Sequence, residues 1–241
     1  ALYSNTTASN NTAVGRNSLD TNSTGSYNTA VGYDSLTANT TGTENVAFGS
    51  FALQANTTAT ANSAFGNEAL EANTTGANNT GIGWSSLNQN TTGVQNVAVG
   101  KGALYANTTA SSNTGIGFQA LGSNITGHSN AAVGQNALYT NSTGINNVAV
   151  GLSALNANTT GYNNTAVGHL ALLTSTTSYN NTAVGEASLY YNTTGYENIA
   201  VGYIASYNVT TGASNVSMGR AALYELTTGN NNIGIGPEAG R

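Results

Sequence analysis

Hydrophobic and polar positions repeat along the whole chain with a period of seventeen residues. A glycine marks each repeat, from Gly15 to Gly236, with no insertion between them. Positions are counted here from this coil glycine. Position −1 holds a large apolar residue, −2 a small one and +4 almost always Leu, while Asn occupies −4 and usually +7, and Thr occupies +9 in every repeat. Such a fixed period is typical of a solenoid.

The segment from −4 to the coil glycine, N-V-A-V-G at residues 96–100, predicts a short β-strand. Gly and Asn interrupt every repeat, which excludes helical-repeat solenoids. Alternate residues of a strand share a face, so we expect positions −3 and −1 to point together into a core that also holds Leu at +4. The sequence therefore predicts an all-β fold, a single parallel β-solenoid domain over residues 1–241 with about 14 coils and one column of stacked glycines.

The segment from +7 to +10, usually N-T-T-G, predicts a corner of each coil. Asn and Gly favour turns, and an exact repeat stacks each Asn amide over the next as a ladder. At about 4.8 Å per coil, the stack is expected to extend on the order of 65–70 Å.

Composition narrows the possible partners. Charged residues make up only 5% of the chain, with four basic residues against nine carboxylates and a net charge of −5. No basic surface is available for phosphates or anionic lipids, so we expect no nucleic-acid partner. No apolar run approaches the roughly 18 residues of a membrane span, so no membrane insertion is expected. Cys is absent, which excludes disulfides and thiolate metal sites.

No residue pattern indicates catalysis. His128 and His169 fall at different coil positions without partners at metal-ligand spacing, and neither a Ser-His-Asp set nor paired carboxylates recur. The glycine-rich stretch at residues 234–240 lacks the following helix that a phosphate-binding loop requires. We therefore expect no catalytic, cofactor or metal site, and we do not expect the chain to be an enzyme.

Asn-x-Ser/Thr sequons form the first set of candidate site residues. They have two interpretations: glycosylation, which would supply surface polarity in place of charge, or a corner ladder that needs Asn and Thr for structural reasons. The candidates are Asn5, Asn22, Asn39, Asn56, Asn73, Asn90, Asn107, Asn124, Asn141, Asn158, Asn192 and, one residue early in its coil, Asn208.

Aromatic residues at variable positions form the second set. Because variable positions of an exact repeat favour the outer face, these rings are candidates for contact with sugars or with a neighbouring chain, or else they cover adjacent coils. They are Tyr3, Tyr105, Tyr139, Tyr190, Tyr207 and Tyr224 at +5, and Trp84 at +1.

The repeat at residues 96–104 resembles the head repeats of trimeric autotransporter adhesins, and the longer form at residues 147–161 resembles repeats of bacteriophage tail fibres and bacterial surface fibres. The resemblance covers the whole chain. It implies a left-handed parallel β-roll in which three chains associate side by side, with small residues where they meet.

The two ends of the sequence lack atypical capping repeats, and the chain begins at Ala1 without Met. One interpretation is head-to-tail stacking of copies into a filament; the other is a processed chain or fragment whose flanks carry the caps.

The resulting hypothesis is a structural protein of a rigid extracellular fibre, such as a surface appendage, an adhesin stalk or a tail-fibre shaft on a cell or virion. Its expected partners are further copies, as homopolymer or homotrimer, and cell-surface or environmental glycans. The alternative is a binding module that presents a repetitive Asn/Thr or Tyr face to ice or polysaccharide, with Asn at +7 and Thr at +9 on one face.

Overall fold

A computed structural model describes all residues from 1 to 241. The chain is all-β and has no helix, and every strand occupies positions −3 to −1 of its coil. The strands are β1 Thr12–Val14, β2 Thr29–Val31, β3 Val46–Phe48, β4 Ser63–Phe65, β5 Thr80–Ile82, β6 Val97–Val99, β7 Thr114–Ile116, β8 Ala131–Val133, β9 Val148–Val150, β10 Thr165–Val167, β11 Thr182–Val184, β12 Ile199–Val201, β13 Val216–Met218 and β14 Ile233–Ile235.

The chain forms two compact units, Ala1–Gln119 and Ala120–Arg241. In the first unit, β1 to β7 pair in sequence order, and in the second β8 to β14 do the same. All pairs are parallel and in register, each residue facing the one seventeen positions later, as Val97 faces Thr114. The prediction of a parallel β-solenoid is confirmed. The single domain and the left-handed coil stay predictions.

Backbone ladders continue outside the strands. The N–H of Leu53 donates to the carbonyl of Ala69 at 3.0 Å, and the N–H of Thr57 donates to that of Thr74 at 3.1 Å. Because the corners pair with the next coil as the strands do, few of their backbone groups are left unpaired. This pairing gives a short, three-residue strand much of its stability.

The core consists of Leu at +4 and of Ala at −2 and +3. Leu53, Ala47 and Ala52 are fully buried, and the same positions are buried in most coils. Each Leu has a left-handed backbone, with φ of 51° at Leu53. That conformation costs roughly 1–2 kcal/mol for a residue with a side chain, which the roughly 1.5–3 kcal/mol gained by burying Leu offsets.

The expected direction of the strand side chains is wrong. Positions −3 and −1 do share a face, but that face is the outer one: Val14 is 58% and Phe48 54% exposed, while the middle residue Ala47 is buried. The physical reason is the width of the coil. Leu and two Asn side chains already fill the interior, so only a small residue fits at −2, and the larger ones must point outward.

Within each unit the coil glycines stack in a column, as predicted. Gly83 has φ of 126°, and a Cβ built on it would lie 2.8 Å from the carbonyl oxygen and carbon of Gly100 in the next coil. The column therefore needs glycine both for its backbone conformation and for the close approach of coils.

Candidate functional surfaces

Two buried columns of Asn hold each coil closed. The corner ladder comprises Asn at +7 and the strand ladder Asn at −4. In one coil, Nδ2 of Asn73 and Nδ2 of Asn62 both donate to the carbonyl of Gly76, each at 2.9 Å. A carbonyl has two lone pairs, so one oxygen satisfies both amides and ties the strand to the corner.

The same amides join neighbouring coils. In the corner ladder, Nδ2 of Asn73 also donates to Oδ1 of Asn56 at 3.0 Å, and Nδ2 of Asn90 donates to Oδ1 of Asn73 at 2.8 Å. In the strand ladder, the backbone N–H of Asn62 donates to Oδ1 of Asn45 at 3.0 Å. Paired in this way, buried amides stabilise the stack instead of destabilising it.

The corner ladder includes most candidate sequons. From Asn22 to Asn192 these side chains are fully buried, and only Asn5 and Asn208 are not. The ladder is therefore present in the structure. Glycosylation at these positions stays a prediction, and it would require Nδ2 to leave two hydrogen bonds in the folded chain.

Four exposed sequons were missed in the sequence. They have Asn at −5 and Thr at −3, and the signal was present as the run N-N-T. Their Asn residues are exposed and have φ between 55° and 60°, a conformation that Asn tolerates well. They are Asn10, Asn78, Asn163 and Asn180.

The outer side of the strands, which we name the sheet face, comprises the residues at −3 and −1. It contains no charged residue in either unit. Its members include Phe65, Ile82 and Ile116, which are 41%, 42% and 39% exposed. Soluble monomers rarely expose a continuous apolar area of more than a few hundred Å². The sheet face is therefore a candidate protein interface.

Tyrosines form two stacked columns in residues 120–241. One was predicted in part: Tyr190 stacks on Tyr207, and Tyr207 on Tyr224, with ring centroids 5.0 and 5.4 Å apart. The other, at +11, was missed because only three coils have Tyr there. Tyr162, Tyr179 and Tyr196 stack with centroids 5.1 and 4.9 Å apart and planes within 7°. The rings thus cover adjacent coils.

Two tyrosines in these columns, Tyr179 and Tyr207, have a raised pKa. Desolvation raises the pKa of Tyr179, helped by the nearby Tyr196, Tyr162 and Glu197. Desolvation, with Tyr191 next, also raises the pKa of Tyr207. In both cases the neutral phenol is favoured because an anion would lose solvation beside other rings.

The remaining aromatic candidates are separate from these columns. Tyr3 is 89% exposed and Tyr105 40%, whereas Tyr139 is half-buried. Trp84 is 51% exposed, donates from Nε1 to Oε2 of Glu68 at 3.2 Å, and has Lys101 Nζ 4.2 Å from its ring centroid. Glu68, Trp84 and Lys101 belong to three consecutive coils, so the Trp84 ring covers the coils on both sides of its own.

The Thr residues at +9 form a third surface, the threonine column. Every one of them is exposed, at the bend of the corner. The Asn two residues earlier is buried, so the expectation that +7 and +9 share one face is wrong. The reason is that the corner is a bend and not a strand, so its side chains do not alternate. The column comprises Thr7, Thr24, Thr41, Thr58, Thr75, Thr92, Thr109, Thr126, Thr143, Thr160, Thr177, Thr194, Thr211 and Thr228.

Ionisable groups are scattered. No group of three or more His, Cys, Asp or Glu residues is placed to hold a metal ion. Nδ1 of His169 lies 3.6 Å from Glu186 Oε1, and hydrogen bonding and charge from Arg220 lower the pKa of Glu238. No helix of the length and apolarity needed to cross a membrane is present.

This fold and these surfaces define a β-solenoid repeat protein with two internal amide ladders. The chain matches no protein-family model, no curated protein and no solved structure.

Proposed function

We propose that this chain is a structural protein of an extracellular fibre, in which copies pack side by side through the sheet face. The observation that carries the proposal is the sheet face itself: it is free of charge, and its −1 column holds a large apolar residue in every coil, exposed in most of them. Its most exposed members, such as Phe48 at 54%, would be unfavourable in a protein that functions alone.

A second copy of the chain is the partner that fits this surface. The apolar −1 column and the −3 column, in which Thr or Ser alternates irregularly with apolar residues, both recur once per coil, with the strands in register. A partner keeps contact along the whole column only if its own side chains recur at the same spacing, and another copy has that spacing. Seven strands present fourteen of these side chains to a partner, and a standard interface buries roughly 800 Å² on each side.

The interior favours a structural role. Within each unit, every coil is joined to the next by backbone ladders and by one or two amide ladders, and most of the interior polar side chains are hydrogen-bonded. Such a stack needs neither disulfides nor a large apolar core. A surface appendage, an adhesin stalk or a tail-fibre shaft is the setting that these properties suit.

Introducing charge on the sheet face tests the proposal. The variant Val133→Lys/Val150→Lys places two lysines on the sheet face, where both valines are 38% exposed. Its control, Leu152→Lys/Tyr203→Lys, adds the same charge at +1, where these residues are 44% and 51% exposed.

We expect the parent chain and the control to sediment as assemblies and the sheet-face variant to sediment at the 24.2 kDa of one chain. Circular dichroism confirms that each variant is folded. Equal assembly of both variants would contradict the proposal.

Glycan binding is a second candidate, favoured by the exposed edges of the +11 tyrosine column. Tyr162 and Tyr196 remain 41% and 38% exposed. Co-sedimentation with insoluble polysaccharides tests it: Tyr162→Ala/Tyr196→Ala should lose binding, and binding unchanged by this substitution would exclude the column as the site.

A further inference from the structure

The threonine column is the one exposed position of the coil that never varies. Exposed positions elsewhere vary freely: +1 holds residues as different as Arg16, Trp84 and Pro237. Position +9 is Thr in all coils and is exposed in all of them. An exposed side chain is under no packing constraint that would require one residue type, so the column calls for another explanation.

Hydrogen bonding within the chain does not explain why position +9 is always Thr. At the preceding position, +8, the hydroxyl has a structural role, as Thr74 Oγ1 donates to the carbonyl of Thr91 at 3.0 Å. Yet +8 varies among Thr, Ser and Ile. At +9 the hydroxyl of Thr75 makes no hydrogen bond within the chain, and neither does that of any other member of the column.

The Asn-x-Thr sequon does not explain the invariant Thr either. In three coils the Asn at +7 is replaced, by Ser175, Val209 and Leu226. Thr177 and Thr211 remain two residues later all the same, as does Thr228. Thr at +9 therefore persists where no Asn precedes it to be glycosylated.

We propose that the threonine column is an array of O-linked glycosylation sites, with one sugar acceptor per coil. These threonines are exposed, their hydroxyls make no hydrogen bond within the chain, and a small residue, Gly, Ala or Ser, follows each of them at +10, so a transferase can reach them. Thr differs from Ser by a methyl group that restricts χ1, which would hold each glycan in one direction. With coils about 4.8 Å apart, sugars on successive coils can lie side by side, because carbon atoms are in optimal contact at about 3.5–4.0 Å.

The transfer needs an activated sugar, such as a nucleoside diphosphate sugar, and a glycosyltransferase. Thr Oγ1 attacks the anomeric carbon and forms the new C–O bond. The bond from that carbon to the diphosphate breaks, the nucleoside diphosphate leaves with the electron pair, and the hydroxyl proton passes to a base of the transferase. No oxidation or reduction is involved. Neutral glycans would give a chain with 5% charged residues a hydrated surface.

Mass spectrometry of protein from its native source tests this inference. The denatured chain is digested with chymotrypsin, and the peptides are fragmented by electron transfer, which preserves glycans. We expect sugar-sized increments on Thr at +9, including Thr177, whose coil has Ser175 in the ladder. Alkaline β-elimination should remove them and leave dehydrated threonine, whereas a peptide N-glycosidase should leave them in place.

Two results would overturn the inference. One is an intact mass equal to the 24.2 kDa polypeptide. The other is a set of increments confined to Asn and released by the N-glycosidase, for example at the exposed Asn78 or Asn163. Neither result bears on assembly through the sheet face, which sedimentation tests separately.

Discussion

Residues 1–119 and residues 120–241 are built from the same coil but differ in the corner ladder. In the first unit the ladder is unbroken from Asn22 to Asn107, with Nδ2 to Oδ1 distances of 2.7–3.0 Å. In the second it is interrupted by Ser175 and ends at Val209. The buried side-chain oxygens that lack a donor are Oδ1 of Asn136, Asn158 and Asn192, all in the second unit.

The direction of the ladder explains two of these oxygens. Each Asn donates Nδ2 to the Asn one coil earlier, so a replacement leaves the earlier Oδ1 without a donor. Ser175 follows Asn158 and Val209 follows Asn192, and these are the residues with unpaired Oδ1 atoms. Asn192 keeps its own donor bond to the carbonyl of Gly195 at 3.1 Å. A break in the ladder thus costs one acceptor, and the damage stays local.

The largest loss of stability is expected from Gly83→Ala, because the added methyl group would push apart two neighbouring coils of the first unit. Its Cβ would lie 2.8 Å from the Gly100 backbone, so we expect a loss of about 3–5 kcal/mol in the free energy of unfolding. Gly102→Ala is the matched control: φ is 65°, and the nearest atom is Gln119 Cγ at 3.5 Å. It should cost about 1–2 kcal/mol, the cost of a left-handed residue without a steric clash. Urea denaturation measures both, and equal losses would contradict the stacking argument.

A break introduced into the corner ladder of the first unit should lower the free energy of unfolding by a smaller amount. Asn73→Val imitates Val209 and removes the donor to Asn56 Oδ1 and the bond to Gly76. We expect a loss of about 3 kcal/mol, since a buried group left unpaired costs about 1–3 kcal/mol and further bonds are lost. Asn67→Val makes the same change at an exposed position and should alter stability by less than about 0.5 kcal/mol.

Hydrogen exchange shows where the Asn73→Val effect falls. Faster amide exchange should be limited to the coils beside residue 73, because each coil contacts only its neighbours. Loss of protection throughout residues 1–119 would show that the ladder acts cooperatively instead.

Repair of the second unit should give a smaller gain. Ser175→Asn with Ser178→Gly restores the usual corner, so that residue 175 donates to Asn158 Oδ1 and accepts from Asn192 Nδ2. The gain should be about 1 kcal/mol after the entropic cost of the new glycine. Ser178→Gly alone is the control: it removes the hydroxyl partner of Ser175 and should destabilise. A double variant no more stable than the parent would refute the ladder account.

The smallest effect concerns pH and also distinguishes the units. Because the pKa values of Tyr179 and Tyr207 are raised on folding, the unfolded chain ionises first. These two tyrosines should therefore leave stability unaffected below about pH 10, the usual tyrosine range, and make it fall as pH rises above that value. Tyr179→Phe/Tyr207→Phe should reduce that fall. Tyr27→Phe/Tyr105→Phe, a change of two tyrosines outside the stacks, should leave it as it is.

The sequence predicted the fold because the period is exact. Strands, glycine column, Leu core and corner ladder all follow from residues at fixed spacing. The direction of the strand side chains could not be predicted in this way, because the pattern V-A-V is compatible with either face of the strand pointing inward. What decides is the room left by Leu53 and two Asn side chains, and that room depends on how the corners fold.

The candidate surfaces were predictable only in part. Tyr190, Tyr207 and Tyr224 recur at one position and could be found, whereas Tyr162, Tyr179 and Tyr196 lie at a position where no other coil has an aromatic ring of this kind. Thr at +9 was visible as an invariant position, but its exposure depends on the bend after the buried Asn. Spacing alone does not give the direction of a side chain in a bend.

An electron cryomicroscopy map of the assembled native particle tests the central claim most directly, since it shows what covers the sheet face. We predict that the columns at −3 and −1, including Phe65 and Ile82, are buried against the same columns of a second copy. A particle in which those side chains stay in contact with solvent, while copies meet through another surface, would contradict the account.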